Sequence, residues 1–263
     1  MSRAPQHEQA WWASYFDERY LLEFEPLFEE SINRAQVTRL LELLGLPDGA
    51  AILDCPCGQG RHAHLLAEAG MDVTGIDYSE PLLRIAKARG TGKRLRYRRG
   101  DMRALPAEWT GRFNAVLNLF TSFGFFDDPT DDATVIAEFA RVLAPGGRLV
   151  WHGGSRDGVV ARWVARDSWQ TSNGTKVNHD RVFDPVSGQI TIQTKWRGEG
   201  GTAQRQHRIR LYTATRLSEL CADAGLHVTA VYDGLEDRPL RRTSAEMLLV
   251  AEKPLLPRRR VRG

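Results

Sequence analysis

Cysteine is scarce in this chain. Only Cys55, Cys57 and Cys221 occur among 263 residues, an odd number too small for a disulfide framework and in keeping with a reducing compartment. Cys55-Pro56-Cys57 has the look of a soft-metal clip, yet zinc takes four ligands and no second Cys/His cluster of finger-like spacing follows. No metal is expected, and the loop is read as structural. Long hydrophobic runs are also missing. The longest stretch without a charge, Phe113 to Phe126, has 14 residues and is broken by Asn118, Thr121 and Ser122, whereas a bilayer needs ~20 apolar residues. No membrane association is expected. The opening MSRAPQHEQAWW has no apolar core before a small-residue cleavage site, so no secretory signal is read and a cytoplasmic protein is expected. With 24 glycines and 12 prolines the chain stays well under the ~25–30% that marks low-complexity sequences, which excludes disorder and collagen. No internal repeat is present.

A large excess of one charge is absent too. Lys and Arg number 36 against 33 Asp and Glu, a net charge of +3. Four of the positive charges sit in the tail Pro257-Arg258-Arg259-Arg260-Val261-Arg262-Gly263, and the body without it is close to neutral. A second basic cluster runs from Arg84 to Arg103, opposed only by Asp101. Because it is interleaved with the apolar positions of a helix and a strand, it reads as a solvated face before it reads as a phosphate track, and nucleic acid is not the expected partner.

What is present is alternation. From Ala50 onward, short apolar runs alternate with helical patterns, the signature of βαβ units and a parallel sheet. Strands are predicted at 50–54, 71–77, 95–99, 113–118, 148–151, 226–232 and 247–252, with helices at 61–69, 79–89, 131–143 and 213–224. Ser79 is the N-cap of the second of these helices. Between Gly153 and Tyr212 the period changes to two. Runs 175–183, 189–196 and 204–212 are separated by Asp184-Pro185-Val186-Ser187-Gly188 and by Gly198-Glu199-Gly200-Gly201, which are hairpin signals. The predicted fold class is α/β: a Rossmann-like, mostly parallel seven-stranded sheet with an antiparallel β insertion and N-terminal helices. Residues 1–48 form a helical segment that closes the site, 49–152 the cofactor-binding core, 153–212 a β cap, 213–253 the completion of the sheet, and 254–263 a basic flexible tail.

The sharpest chemical signal is Ile52-Leu53-Asp54-Cys55-Pro56-Cys57-Gly58-Gln59-Gly60-Arg61-His62-Ala63, a strand running into a glycine-rich turn and a helix. Gly58-x-Gly60-x-x-Ala63 fits the dinucleotide fingerprint, and Asp77 stands where a ribose-binding acid belongs. The glycines alone do not choose a cofactor. Asp54 does, because a carboxylate at the strand end suits an amino acid moiety better than a pyrophosphate, which it would repel.

With these residues in register the chain resembles the class I S-adenosylmethionine-dependent methyltransferases over roughly Ala50 to Lys253. Asp54-x-x-x-Gly58-x-Gly60 is similar to the family's first motif, with Arg61 opening the helix behind it. Asp77, followed by Tyr78, resembles the acid that holds the ribose hydroxyls. Gly100-Asp101-Met102 resembles the segment whose Asp meets the adenine amino group while its neighbour packs on the ring. Asn118-Leu119-Phe120-Thr121-Ser122-Phe123-Gly124 resembles the edge of the fourth strand, and Arg141 to Gly147 the run before the fifth. The resemblance implies S-adenosyl-L-methionine as cofactor, held by Asp54, Gly58, Gly60, Arg61, Asp77, Tyr78, Asp101, Met102, Asn118 and Leu119. The fourth strand lacks the Asn-Pro-Pro-aromatic run with which relatives methylate flipped bases. Together with the β insertion, this variant resembles bacterial enzymes that modify small molecules, including amines of natural products.

Methyl transfer from a sulfonium is an in-line displacement that mainly needs positioning and exclusion of water. A hydroxyl acceptor or a protonated amine also needs a proton acceptor. His152, at the end of the fifth strand, is a candidate for that role, with a structural histidine as the competing reading. Tyr15 and Tyr20 could close over the sulfonium, whose charge is attracted to aromatic faces, or belong to the core. Phe120, Arg210 and Tyr212 are the further candidates for lining an acceptor pocket. The expected function is methyl transfer to an amine or hydroxyl of a small molecule. An RNA-modifying enzyme and a non-catalytic S-adenosylmethionine-binding module are the rivals.

Overall fold

The computed structural model describes residues 10–24, 28–199 and 201–255. The basic tail from position 256, and with it the expectation that the tail is flexible, lies outside them. In chain order the elements are α1 (Trp12–Tyr15), α2 (Glu18–Glu23), α3 (Glu30–Leu44), β1 (Ala51–Asp54), α4 (Arg61–Glu68), β2 (Asp72–Asp77), α5 (Glu80–Arg89), β3 (Leu95–Arg99), β4 (Phe113–Asn118), α6 (Pro129–Val142), β5 (Leu143–Gly154), α7 (Arg156–Ala161), β6 (Arg166–Gln170), β7 (Lys176–Phe183), β8 (Gln189–Gly198), β9 (Gly201–Arg210), α8 (Ala214–Asp223), β10 (His227–Tyr232) and β11 (Glu246–Glu252).

Seven strands form one sheet in the order β10-β11-β5-β4-β1-β2-β3. β11 runs antiparallel to both its neighbours, and every other pairing is parallel. The central strands read as continuous apolar runs because both faces are covered. On one face Leu53, Val116 and Leu249 pack under α6 and α8 through Phe139 and Leu217. On the other, Ile52, Leu117 and Val250 pack under α3 and α4 through Leu40 and Leu66. The chain leaves β1 for β2 and β3 on one side and returns to β4 and β5 on the other, so the sheet reverses direction at β1. In open α/β sheets that crevice, at the carboxyl ends of the strands, is where ligands bind.

Side-chain caps start two of the helices, α5 at the expected Ser79 and α6 two residues before its predicted start at 131. Ser79 caps α5 by accepting from the Leu82 N–H at 3.2 Å, and Asp128 caps α6 by accepting from the Thr130 N–H at 2.8 Å. The fifth strand starts earlier than predicted. Phe113 pairs with Leu143 and Ala115 with Arg148, so Pro145-Gly146-Gly147 is an irregularity inside β5.

The antiparallel insertion has four strands, in the order β6-β7-β8-β9, rather than the three predicted. The additional strand, Arg-Asp-Ser-Trp-Gln, is mostly exposed and carries no apolar alternation by which it could be read. Its sheet packs on the N-terminal helices through a buried polar cluster. Glu23, 1% exposed, receives hydrogen bonds from Thr194 Oγ1 at 3.3 Å, Arg205 Nη2 at 3.2 Å and Tyr15 OH at 3.4 Å, and lies 2.8 Å from His179 Nε2. The Trp169 indole N–H donates to its backbone carbonyl at 3.1 Å. At the sheet end of the cap, Arg210 Nη1 and Tyr212 OH each donate to Asp132 Oδ2 on α6 at 2.6 Å.

Among the described residues, no helix is long and apolar enough to cross a membrane. Nor is there a group of three or more His, Cys, Asp or Glu side chains arranged to hold a metal ion.

Candidate functional site

A cleft opens at the sheet reversal, walled by charged and aromatic side chains, the place where small molecules bind in such folds. Its floor is the β1–α4 turn. Gly58 and Gly60 take φ of +54° and +76°, and a Cβ on Gly60 would stand 2.5 Å from the Tyr97 hydroxyl. Only glycine lets this turn close against β3. Gly60 thus shapes the turn from behind, while Gly58 lines the cleft.

Asp54 ends β1, 1% exposed, and its Oδ2 has no hydrogen-bond partner. Burial, with Asp77 adding to it against the opposing charge of Arg61 and the Ala63 N–H, pushes this carboxyl up to about 7. A buried oxygen without a donor is costly, and an ammonium group placed in the cleft would supply the missing donors. At the end of β2, Asp77 accepts from the Gly58 N–H at 2.7 Å and the Ser79 N–H at 2.8 Å. Burial still pushes it up to about 6. Its acceptor capacity is not exhausted by these bonds, which suits a diol. Tyr78, Asp101, Met102 and Leu119 line the same cleft. Burial raises the Asp101 carboxyl, but hydrogen bonds from Arg103, one at 2.7 Å, outweigh it and hold the group below its ordinary value. The donor set fits S-adenosylmethionine: an orphaned acid for the amino group, a second acid for the ribose, and a third beside Met102 for the base.

Asn118 does not face the cleft. It is fully buried, and its Nδ2 donates to the Cys55 carbonyl at 2.9 Å and the Ser122 carbonyl at 3.3 Å, tying the β1 and β4 turns together. Arg61 lies at the edge with its guanidinium carbon 4.0 Å from the Phe120 ring centroid and 5.2 Å from that of Phe28.

Of the residues expected on the acceptor side, Tyr20 and Phe120 line the cleft and Tyr15, His152, Arg210 and Tyr212 do not. Tyr15 is turned the other way, into the Glu23 cluster. Arg210 and Tyr212 face α6, where Asp132 supplies a buried counter-charge that the local strand pattern could not reveal. His152 is 2% exposed and sits behind Phe120. Its Nδ1 accepts from the Phe120 N–H at 3.4 Å and its Nε2 lies 3.2 Å from Glu246 Oε2. With one nitrogen accepting and the other facing a carboxylate, it has no free lone pair for an acceptor's proton.

The sequence reading missed the residues that wall the other half. Trp12, Phe16, Phe28 and Phe126 supply aromatic faces, and His62 supplies an imidazole. The N-terminal rings lie in a segment read only as helical, with no partner by which to place them. His62 stood within the first motif, unassigned. Its Nε2 lies 3.0 Å from Gln36 Oε1, and its ring stacks on Phe120 at 5.0 Å with planes 8° apart. Burial first, then the charge of Arg61 and the nearness of His152, push its pKa well below the usual histidine value. It is therefore neutral at physiological pH. Tyr20 moves in the opposite direction, pushed up to about 12 mainly by burial.

Residues 52–147 match the family described as methyltransferase domain. The ubiquinone biosynthesis O-methyltransferase of Bordetella avium is 34% identical over 127 residues, 48% of this chain and 50% of that protein. The chain thus spans about half the length of the first curated relatives it matches. Among solved structures, the CcbJ methyltransferase from Streptomyces caelestis superposes with a TM-score of 0.77 at 17% identity, covering 92% of this chain and 98% of that one. SAM-bound CalS10, an amino pentose methyltransferase from Micromonospora echinaspora involved in calicheamicin biosynthesis, superposes with a TM-score of 0.66 at 21% identity over 88% and 96% of the two chains. At these identities the likeness is one of fold. Residues 52–147 are thus similar to methyltransferase domains, and the chain as a whole shares the fold of solved S-adenosylmethionine-dependent methyltransferases.

Proposed function

We propose that the protein is a methyltransferase that moves the methyl group of S-adenosylmethionine to a small molecule. The observation that carries this reading is the buried, donorless Oδ2 of Asp54 at the carboxyl end of β1. In this reading Asp54 receives the cofactor's ammonium, Asp77 the ribose hydroxyls, and Asp101 with Met102 the adenine. Arg61 stands on the side of the carboxylate, and Asn118 holds the turns. When bound, the cofactor supplies an electrophilic methyl on a positively charged sulfur.

The chain's own part is positioning and drying. Trp12 crosses the mouth, its ring 4.9 Å from that of Tyr78 and 5.5 Å from that of Phe126. Ser79 Oγ donates to the Phe16 carbonyl, which pins the N-terminal segment over the cofactor half. Tyr20 presents an aromatic face where a sulfonium is attracted, and with its raised pKa it remains a phenol. A water-poor, ring-walled space holds a small acceptor in near-attack geometry more readily than a nucleic acid backbone. The chain's similarity to a ubiquinone biosynthesis O-methyltransferase and an amino pentose methyltransferase supports the small-molecule class. Calorimetry with S-adenosylhomocysteine tests cofactor binding. Incubation with methyl-labelled S-adenosylmethionine and a metabolite extract tests transfer. No binding in the first experiment, or no labelled small molecule in the second, refutes the reading.

A further inference from the structure

Building on the methyl-transfer reading, we propose that the acceptor is a hydroxylated aromatic compound and that His62 takes the hydroxyl proton. Three observations lead there. The first is tautomer. Gln36 Oε1 accepts from Arg61 Nη1 at 3.4 Å, which identifies that atom as oxygen, and the same oxygen lies 3.0 Å from His62 Nε2. Nε2 must therefore carry the hydrogen, leaving the lone pair on Nδ1. The ring lines the cleft and is held flat against Phe120, so a neutral imidazole with a defined basic nitrogen stands at the wall of the acceptor space.

The second observation is competition among bases. Tyr20 is a phenol at neutral pH. His152 is committed to the Phe120 N–H and to Glu246. Asp54 and Asp77 face the cofactor half. Among the described cleft-lining groups, His62 is left to serve a hydroxyl.

The third is the charge and texture of the wall. Among the described residues the lining holds no carboxylate beyond the three cofactor acids, and its apolar rings are Trp12, Phe16, Phe28, Phe120, Phe125 and Phe126. A protonated amine would face the positive charge of the sulfonium, whereas a phenol ring stacks on such walls and its developing oxyanion is favoured by that charge. The step balances. The hydroxyl oxygen bonds to the methyl carbon as the carbon–sulfur bond breaks with its electron pair left on sulfur. The O–H proton passes to Nδ1, and the imidazolium later releases it to water.

The groups that face His62 are Arg61 from its own helix, His152 from β5 and the neutral Gln36 from α3. Both charge-bearing neighbours resist its protonation, so the acid limb of turnover should lie below the ordinary histidine range. Two experiments test the proposal. In long-range ¹H–¹⁵N spectra of the imidazoles, His62 should remain the neutral Nε2–H tautomer from pH 8 down to pH 5. An Nδ1–H tautomer, or protonation at the ordinary histidine pKa, overturns the assignment without reference to any acceptor. The protein with methyl-labelled cofactor is then offered hydroxylated benzoates and cinnamates in one panel and amino sugars in another. Label should appear as aryl methyl ethers, and His62→Gln should lower that turnover on the order of 10²-fold and remove the acid limb, with S-adenosylhomocysteine affinity retained. Label on the amino sugars, or no aryl ether in a protein that binds S-adenosylhomocysteine, overturns this inference alone. Failure to bind S-adenosylhomocysteine overturns the methyltransferase reading as well.

Discussion

Arg210 and Asp132 meet as a buried ion pair, with Nη1 2.6 Å from Oδ2. The contact joins the last strand of the cap to α6, and Tyr212 shares the same oxygen. Removing one member leaves a buried charge without its counterpart. Arg210→Ala should cost about 3–5 kcal/mol of folding stability in urea denaturation, and Tyr212→Phe about 1–3 kcal/mol. The folded fraction of each should bind S-adenosylhomocysteine normally. A loss below about 1 kcal/mol for Arg210→Ala would contradict the pairing.

Cofactor affinity should rise with pH across the acid range. Asp54 and Asp77 have folded-state values of about 7 and about 6, above the ordinary carboxyl value. In the free protein they hold protons that the unfolded chain has already released. Their contribution to stability is thus complete below the unfolded carboxyl pKa and is lost as pH rises toward those values. A cofactor whose ammonium pairs with ionised Asp54 must displace that proton, so calorimetry in buffers of different ionisation enthalpy should detect proton release at pH 6 that fades by pH 8. Asp54→Asn should remove most of the effect and weaken binding by about 1.5–3 kcal/mol. Affinity independent of pH between 5 and 8 in the parent protein would be the contrary result.

The two glycines of the β1–α4 turn should respond unequally to alanine. Both have positive φ, but a Cβ on Gly58 meets nothing within 4 Å while one on Gly60 meets the Tyr97 hydroxyl. Gly58→Ala should lose roughly 1–2 kcal/mol from the backbone alone. Gly60→Ala should lose more and disturb β3 as well, which thermal melts of the two variants compare directly.

Glu23→Ala should loosen the N-terminal wall. Its carboxylate is the buried acceptor of the cap's inner face, and without it Arg205 keeps its pair with Asp17 at 3.0 Å while Thr194 and Tyr15 lose their acceptor, at a cost of about 1–3 kcal/mol. Trypsin should then cut the N-terminal segment faster than in the parent, with weaker S-adenosylhomocysteine binding. Unchanged proteolysis would show that α1 and α2 are held by their remaining aromatic and polar contacts.

The parallel sheet and the placement of its strand-end acids along the cleft were legible because their signals are local. Asp54, Gly58 and Asp77 lie at strand ends defined by apolar runs, and Ser79 caps the helix that its own hydroxyl begins. The acceptor half was not legible, because its residues are brought together from distant segments. Alternation put Arg210 and Tyr212 on one strand face, yet that face is decided by Asp132, about eighty positions away. His152 sat correctly at the end of β5, but Phe120 folds over it, a placement that depends on two residues adopting left-handed backbone. His62 gained its meaning from Gln36 on another helix. The same short-range logic missed β6, whose strand character comes from pairing with β7 rather than from its own pattern.

That left-handed corner carries a consequence for tolerance to heat. Phe120 and Thr121 have φ of +57° and +59°, a conformation costing roughly 1–2 kcal/mol for each non-glycine residue. The Thr121 N–H bond to the His152 carbonyl at 3.0 Å and the Gly154 N–H bond to Thr121 Oγ1 at 3.2 Å hold the pair there. Glycines at both positions would relax the backbone, but they would also delete the ring on which His62 and Arg61 rest. A double glycine variant should therefore exchange the ordered wall of the cleft for a less strained corner, so that backbone ease and site rigidity oppose each other at this one turn.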